Sequence, residues 1–365
     1  MKVYHIVPTL QHGDAVSNDA RALNAILVEL GWNSRIYVAR TIAAFEQRIA
    51  LSIDHMPATK PEDILIYHLS TGDNMNDRVA EMPGHLLVIY HNITPPKFFA
   101  PYDQWAATRT AQGYAQACRL AQKAEYCLAD SNYNASELRR LGYTCPIDVL
   151  PILIPFEDYN KAPDAKVIEK YKDGRTNLVF VGRVAPNKRQ EDVIRAFDCY
   201  KKNYDPTARL FLVGGFARGD AYYRALRAYC RKLGVRDVIF PGHIRFEEIL
   251  AYYTVADLFL CMSDHEGFCV PLVEAMHFHL PIVAKDTTAI ADTMGAGGVL
   301  LPDSDPLLAA AAIHRVLEDA GLKASLLAAQ QQRLCDFGYE TVAQQFCTKF
   351  QHFAAQVEDA HGQSK

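Results

Sequence analysis

The sequence predicts an α/β protein of two domains, each built on a doubly wound parallel sheet. Three observations predict this. The chain has 365 residues, more than one ordinary domain needs, and half are hydrophobic, so two cores can be filled. Short β-branched runs alternate with longer helical patterns, as parallel strands joined by right-handed crossovers require. The alternation lapses once, around Pro151–Asn177, and then restarts.

In the first half, "KVYHIVPT", "NSRIYVAR", "DILIYHLS", "HLLVIYHN", "EYCLADS" and "IDVLPILI" read as strands. They are nearly continuous apolar runs, as expected where both sheet faces are covered. The N-terminus has one lysine and a short apolar run cut by Pro8, which reads as a first strand and not a signal peptide. The second half restarts with "NLVFVGRV", "ARLFLVGG", "DVIFPGHI", "DLFLCMS", "PIVAKD" and "GGVLL". Helical patterns at 190–203, 221–233 and 246–253 lie between them. Pro151, Pro155 and Pro163 mark the linker. Near the end, Thr341 and Gln344 resemble a capping box, and Val342, Phe346, Phe350, Phe353 and Val357 share one helical face. That face must dock, either across the domain junction or on a second copy.

Composition excludes several classes. A net charge of -4 gives no footprint for nucleic acid. The nine cysteines are scattered with no CxxC, which reads as reduced thiols in a cytosolic protein. No stretch approaches the roughly 20 apolar residues of a membrane span.

Ligands of open α/β sheets bind beyond the carboxyl ends of the strands, and two such sheets facing each other make a cleft. Residues just after strands are therefore the candidates. In "VFVGRVAPNKRQ", Gly182 ends a strand, and Arg183 and Lys188 follow before a helix begins near Gln190. A guanidinium fork, a mobile ammonium and a helix N-terminus suit a diphosphate; a solvated basic loop is the plainer reading. In "DHEGFCVPLVEAMHFHL", Glu266 and Glu274 are eight positions apart. On one helix they would lie roughly 12 Å apart along the axis, beyond the about 5 to 10 Å of a glycosidase pair. Pro271 suits a first helical turn, so Glu266 falls in a loop and Glu274 in the first turn of the next helix. They read as two separate contacts on one polyhydroxyl ligand, or Glu274 merely complements the helix dipole. His91, after the strand "LVIYHN", reads as a donor to sugar or phosphate, or as a hydrogen-bonded strand-end histidine. Gly13 gives either close approach to a ligand or a tight turn.

Other features carry less. Asp303-Ser304-Asp305 has a metal-nucleotide D-x-D form but sits in a proline-flanked turn. His277 and His279 would point to different helix faces, so no metal site is expected. The "GAGG" at 295–298 is not a dinucleotide fingerprint. Phe98, Phe99 and Trp105 read as buried aromatics and not as lipid contacts.

Together these pieces resemble the retaining nucleotide-sugar glycosyltransferases of family four, which have the GT-B fold. "EGFCVPLVEAM" is similar to the family's E-x7-E segment, "VGRVAPNK" to its G-R-x-x-x-x-K loop, and "FPGHI" to its F-x-G-x-[IV] segment. "ADSNYNASEL" resembles a segment near the end of its first domain. The resemblance implies two Rossmann-like domains: 1–155, joined by a C-terminal helix at 341–360, and 176–340, which binds the nucleotide sugar. It implies that Arg183 and Lys188 neutralise the donor diphosphate and that Glu274 accepts from the ribose hydroxyls. Glu266, with the backbone at Gly267, Phe268 and Cys269, would hold the transferred sugar, and His91 would contact that sugar and its phosphate. His243 and Ile244 would flank the base, and Gly13 would bring the first loop to the phosphates. Two positions depart from the pattern: Asp14 follows Gly13 where a second glycine is common, and Cys269 stands where glycine is usual.

The activity so implied is retaining transfer of a hexose from a UDP- or GDP-sugar to a glycan or lipid-linked acceptor, without a metal or other cofactor. Surface polysaccharide synthesis is the implied setting. The implied location is the cytoplasm, with peripheral contact at the inner membrane face. Two other classes remain open on the residues alone: a nucleotide-sugar epimerase of the same architecture, and a non-catalytic sugar-nucleotide-binding protein.

Overall fold

A computed structural model describes residues 1–11, 13–39, 49–217 and 219–362. Arg40, the end of the second predicted strand, lies outside them. The chain divides into two compact units: Met1–Lys97, Trp105–Pro155 and Phe337–Lys365 form the first, and Phe98–Gln104 and Phe156–Asp336 the second.

The sheet of the first unit contains β1 (Val3–Val7), β2 (Ser34–Val38), β3 (Ala50–Ser52), β4 (Ile64–Leu69), β5 (His85–Tyr90), β6 (Ala124–Ala129) and β7 (Ile147–Val149). Every pairing is parallel, in the order β3-β2-β1-β4-β5-β6-β7. The short strand β3 was not expected from sequence, and β7 covers only the first three residues of "IDVLPILI". Pro151 has no N–H to give a ladder, which limits strand pairing just there.

The sheet of the second unit contains β8 (Asn177–Val181), β9 (Arg209–Val213), β10 (Val238–Gly242), β11 (Leu258–Cys261), β12 (Ile282–Lys285) and β13 (Val299–Leu301). It too is parallel throughout, in the order β10-β9-β8-β11-β12-β13. Its core is continuous, with Phe180, Phe197, Phe211, Tyr253 and Phe259 fully buried.

Three expectations need correction. The stretch 151–177 is not a bare linker. Asp164 caps a helix, Ala165–Tyr171, by accepting from the Lys166 and Val167 N–H groups. The last helix runs Tyr339–Gly362, so Thr341 lies inside it and caps nothing. Its predicted apolar face is real: Val342, Phe346, Phe350, Phe353 and Val357 are buried in the first unit against Val3, Leu23, Ile64, Leu87 and Tyr126. Burial of each such side chain is worth about 2 kcal/mol. Trp105 is 66% exposed, with the Arg109 guanidinium 5.1 Å from its ring centroid, whereas Phe99 is buried. It stands in the opening turn of helix Gln104–Leu120, whose inward positions Ala107, Thr110 and Gly113 follow a different face. Among the described residues, no helix is long and apolar enough to cross a membrane.

Candidate functional site

In the second unit the strand order reverses between β8 and β11, and ligands bind beyond the carboxyl ends at such a reversal. Two loops stand there, Gly182–Arg189 after β8 and Met262–Phe268 after β11. They are bound to each other. Buried Asn187 donates from Nδ2 to the His265 carbonyl at 3.0 Å, and the Asp264 N–H donates to the Asn187 carbonyl at 2.9 Å. Threonines hold the second loop: Thr287 Oγ1 donates to the Ser263 carbonyl at 2.6 Å, Thr288 Oγ1 accepts from the Glu266 N–H at 2.9 Å, and Thr293 Oγ1 donates to the Phe268 carbonyl at 2.5 Å.

This scaffold brings Lys188 to Glu266. Lys188 ends a tight turn, Pro186–Lys188, and its Nζ pairs with Glu266 Oε2. Burial works against the ammonium, but the Glu266 carboxylate outweighs it and raises the lysine above its ordinary range. Glu266 is 5% exposed, and its Oε1 has no hydrogen-bond partner. Arg183 is exposed and has no acidic partner among the described residues. One cation is thus paired and largely buried, and a second on the same loop is exposed. Arg189, the next cation along, is already spent on Glu191 and Asp192, each at 2.9 Å.

Gly182 leads into this loop, and its position depends on a residue the sequence reading passed over. A Cβ on Gly214 would fall 2.0 Å from the Gly182 carbonyl oxygen and 3.1 Å from the Arg183 nitrogen. The paired glycines in "LVGGFARG" were the available signal. His243 is exposed and Ile244 half-buried just after β10. A Cβ on Gly215 would lie 3.7 Å from His243 Nδ1, so this histidine borders the loop after β9.

Glu274 belongs to helix Val270–His277, with Pro271 in its opening turn as expected. It is the fifth residue of that helix and lies past the first turn, which weakens the helix-dipole reading. Both its oxygens are held. Tyr159 donates to Oε1 at 2.6 Å and Tyr253 to Oε2 at 2.5 Å. Burial raises the Glu274 carboxyl, and the two phenol donors partly offset that. Tyr159 lies in the stretch read as linker, and nothing in its sequence context marked it. Before the helix, Gly267 is half-buried and Phe268 and Cys269 are buried. Cys269 is the N-cap residue, in the left-handed region at φ 72°, where a non-glycine residue is uncommon.

In the first unit, Gly13 has φ 74°, and a Cβ there would meet nothing within 4 Å. Asp14, the departure beside it, caps helix Ala15–Glu29: its Oδ2 accepts from the Ser17 N–H at 3.0 Å and Ser17 Oγ at 2.7 Å. His91 is buried, with both ring nitrogens engaged. Nδ1 lies 3.1 Å from Asp130 Oδ2, and Nε2 lies 2.9 Å from His68 Nδ1. His68 Nε2 in turn faces His5 Nδ1 at 3.2 Å, and Asp19 Oδ2 lies 3.9 Å from His91 Nε2. The sequence did not reveal this three-histidine file, because its members sit on three separate strands or strand ends.

The file is electrostatically uneven. Burial lowers His5 to about 3 and lowers His68 well below the usual range. Burial also works to lower His91, but Asp130 and Asp19 outweigh it and raise that ring. Burial pushes Asp19 up to about 7, against the opposing pull of His91. A carboxyl raised in the folded state costs stability as pH climbs from its unfolded to its folded value. Asp19→Asn is therefore expected to gain on the wild type by on the order of 2–4 kcal/mol between pH 4 and 7. Urea unfolding across that range checks it; a difference that stays flat with pH contradicts it.

Residues 162–333 match the family described as "Glycosyl transferases group 1". The chain is 30% identical over 236 residues to a D-inositol 3-phosphate glycosyltransferase of Nocardiopsis dassonvillei, covering 60% of this chain and 54% of that protein. It is 27% identical over 215 residues to a GDP-mannose-dependent alpha-(1-6)-phosphatidylinositol monomannoside mannosyltransferase of Mycolicibacterium smegmatis, covering 55% of each. The chain thus spans about half the length of the curated relatives it matches. Among solved structures it is similar to sucrose-phosphate synthase from Thermosynechococcus elongatus, with TM-score 0.77, 18% identity and coverage of 98% of this chain and 100% of that one. Anabaena HepE in complex with UDP and glucose is similar at TM-score 0.75 and 18% identity, covering 96% of this chain and 100% of that one. These likenesses show the GT-B fold that the sequence predicted.

Proposed function

We propose, from the match of residues 162–333 to the group 1 glycosyl transferases, that the chain is a retaining transferase of a hexose from a UDP- or GDP-sugar. The acceptor in this reading is a glycan or lipid-linked glycan, and the setting is surface polysaccharide synthesis. The observation that carries it is the pairing of Lys188 with Glu266 at the reversal of the second sheet, with Arg183 exposed on the same loop.

The chemistry follows from charge. As the glycosidic C–O bond breaks, negative charge grows on the leaving diphosphate. Arg183 and Lys188 supply two cations to meet it. Lys188 must loosen from Glu266 to do so, which frees the carboxylate to accept from sugar hydroxyls. Glu266 Oε1, buried and without a partner, is ready for the same task. Glu274, oriented by two phenols, suits the paired hydroxyls of a ribose. His243 and Ile244 suit the base. No divalent cation is assigned to the diphosphate, because the D-x-D segment is otherwise employed: Asp303 accepts from the Asp305 N–H at 2.8 Å, and Asp305 caps helix Pro306–Glu318.

Support for a sugar donor comes from the relatives, one named for GDP-mannose and one solved with UDP and glucose. The deciding experiment is incubation of the purified protein with UDP- and GDP-sugars, following donor loss and product. Slow hydrolysis or transfer, unaffected by chelator, is expected. Epimerised donor with no transfer, or no effect of any nucleotide diphosphate on melting temperature, would overturn the proposal. Tyr253→Phe frees one oxygen of Glu274 and is expected to raise the donor KM about tenfold with little change in kcat. An unchanged KM would remove the orienting role.

A further inference from the structure

We infer that Cys261, Cys269 and Glu266 form a binding site for a thiophilic divalent cation of the zinc and cadmium class, whose occupation blocks the sugar subsite. The two sulfurs and a Glu266 oxygen all lie within 4.8 Å of one another, and all three residues are buried. With zinc–sulfur bonds of about 2.3 Å, tetrahedral geometry sets neighbouring sulfurs roughly 3.8 Å apart. Small side-chain rotations suffice to close the triangle.

Two observations go beyond proximity. Glu266 Oε1 is buried and unpartnered while Oε2 holds Lys188, so one carboxylate oxygen has a lone pair to give. Cys269 is the N-cap of helix Val270–His277 yet its side chain makes no cap hydrogen bond, so the thiol is not committed to the helix. This thiol is also the departure from the glycine usual in the resembled family, and nothing in the proposed transfer reaction uses it.

Charge decides the ion. At rest, the Lys188 ammonium and Glu266 carboxylate cancel. On binding, both S–H bonds break, two protons leave to water, and two metal–sulfur bonds form. Two thiolates, one carboxylate, one ammonium and a dication then sum to zero, so the buried cluster remains neutral. Three protein ligands leave the fourth position for water. Glu266, once ligated, no longer accepts from the sugar. That inhibitory half rests on the transferase reading; the binding half does not.

The first unit has another close thiol pair, Cys127 and Cys145, with sulfurs 3.6 Å apart. The experiment therefore uses the Cys145→Ser protein. Cadmium chloride titrated into the reduced protein is expected to give a cadmium–thiolate charge-transfer band saturating at one ion per chain. Adding Cys261→Ser should abolish it. So should Cys269→Gly, which suits the local φ of 72° and so protects the fold. A missing band in Cys145→Ser, or a band that survives both changes, overturns the site. Zinc should also inhibit donor turnover competitively, and Cys261→Ser should weaken that inhibition at least about tenfold. Cadmium bound without any inhibition overturns the inhibitory half. If the band appears but no donor is turned over in metal-free buffer, the failure belongs to the transferase reading.

Discussion

Lys188→Ala is expected to lower the rate of sugar transfer by about 10²–10³ and, unlike Arg183→Ala, to destabilise the second unit. On the proposed reaction, the rate effect follows from removing one of the two cations offered to the leaving diphosphate. The stability effect follows from Glu266. Its Oε1 already lacks a partner, and loss of Lys188 strips Oε2 as well. Breaking a buried pair from one side costs about 3–5 kcal/mol. Arg183 is exposed and has no acidic partner among the described residues, so its removal should change stability by no more than about 0.5 kcal/mol while still slowing the proposed reaction. The double variant Lys188→Ala/Glu266→Gln checks the stability role: its denaturant midpoint should recover, because no unpaired buried carboxylate is left. Near-wild-type turnover in both Lys188→Ala and Arg183→Ala would remove the clamp.

Gly214→Ala is expected to be the most damaging single methyl group in the second unit. The new Cβ would stand 2.0 Å from the Gly182 carbonyl oxygen and 2.6 Å from its carbon. Both neighbours are backbone, so no side chain can swing aside. Overpacking of this kind costs about 1–3 kcal/mol, occasionally more. The strain falls on the segment that carries Arg183, so turnover should drop along with thermal stability. Gly219→Ala serves as the control, since its Cβ meets nothing within 4 Å. Equal melting temperatures for the two variants would mean the β8 and β9 loop ends are less tightly packed than described.

Much of the fold was legible because parallel strands buried on both faces leave unbroken apolar runs. "NLVFVGRV" and "DLFLCMS" announce β8 and β11 in this way. β3 was not legible, because an edge strand of three residues has no period to detect. The apolar face of the last helix was legible; its start was not, because Thr341 and Gln344 fit a cap by spacing alone. The candidate site was legible where it is local. Arg183, Lys188, Glu266 and Glu274 come from two short segments whose order along the chain matches the order of strands. Its partners were not. Tyr159 reaches Glu274 from 115 positions away, and His5, His68 and His91 meet only through sheet register. Such pairings depend on which strands lie side by side, and a period along one segment carries no record of that.

In sequence, the second unit is largely an insertion into the first, since Phe156–Asp336 lies between Pro155 and Phe337. Synthesis on the ribosome therefore finishes the second unit before the first. Until Phe346, Phe350 and Val357 emerge, the first sheet lacks the helix that covers part of one face, and its apolar residues are open to chaperones or to aggregation. A chain ending at Asp336 would carry a finished second unit beside a first unit whose sheet leaves apolar residues such as Val3, Ile64 and Leu87 without their helical cover.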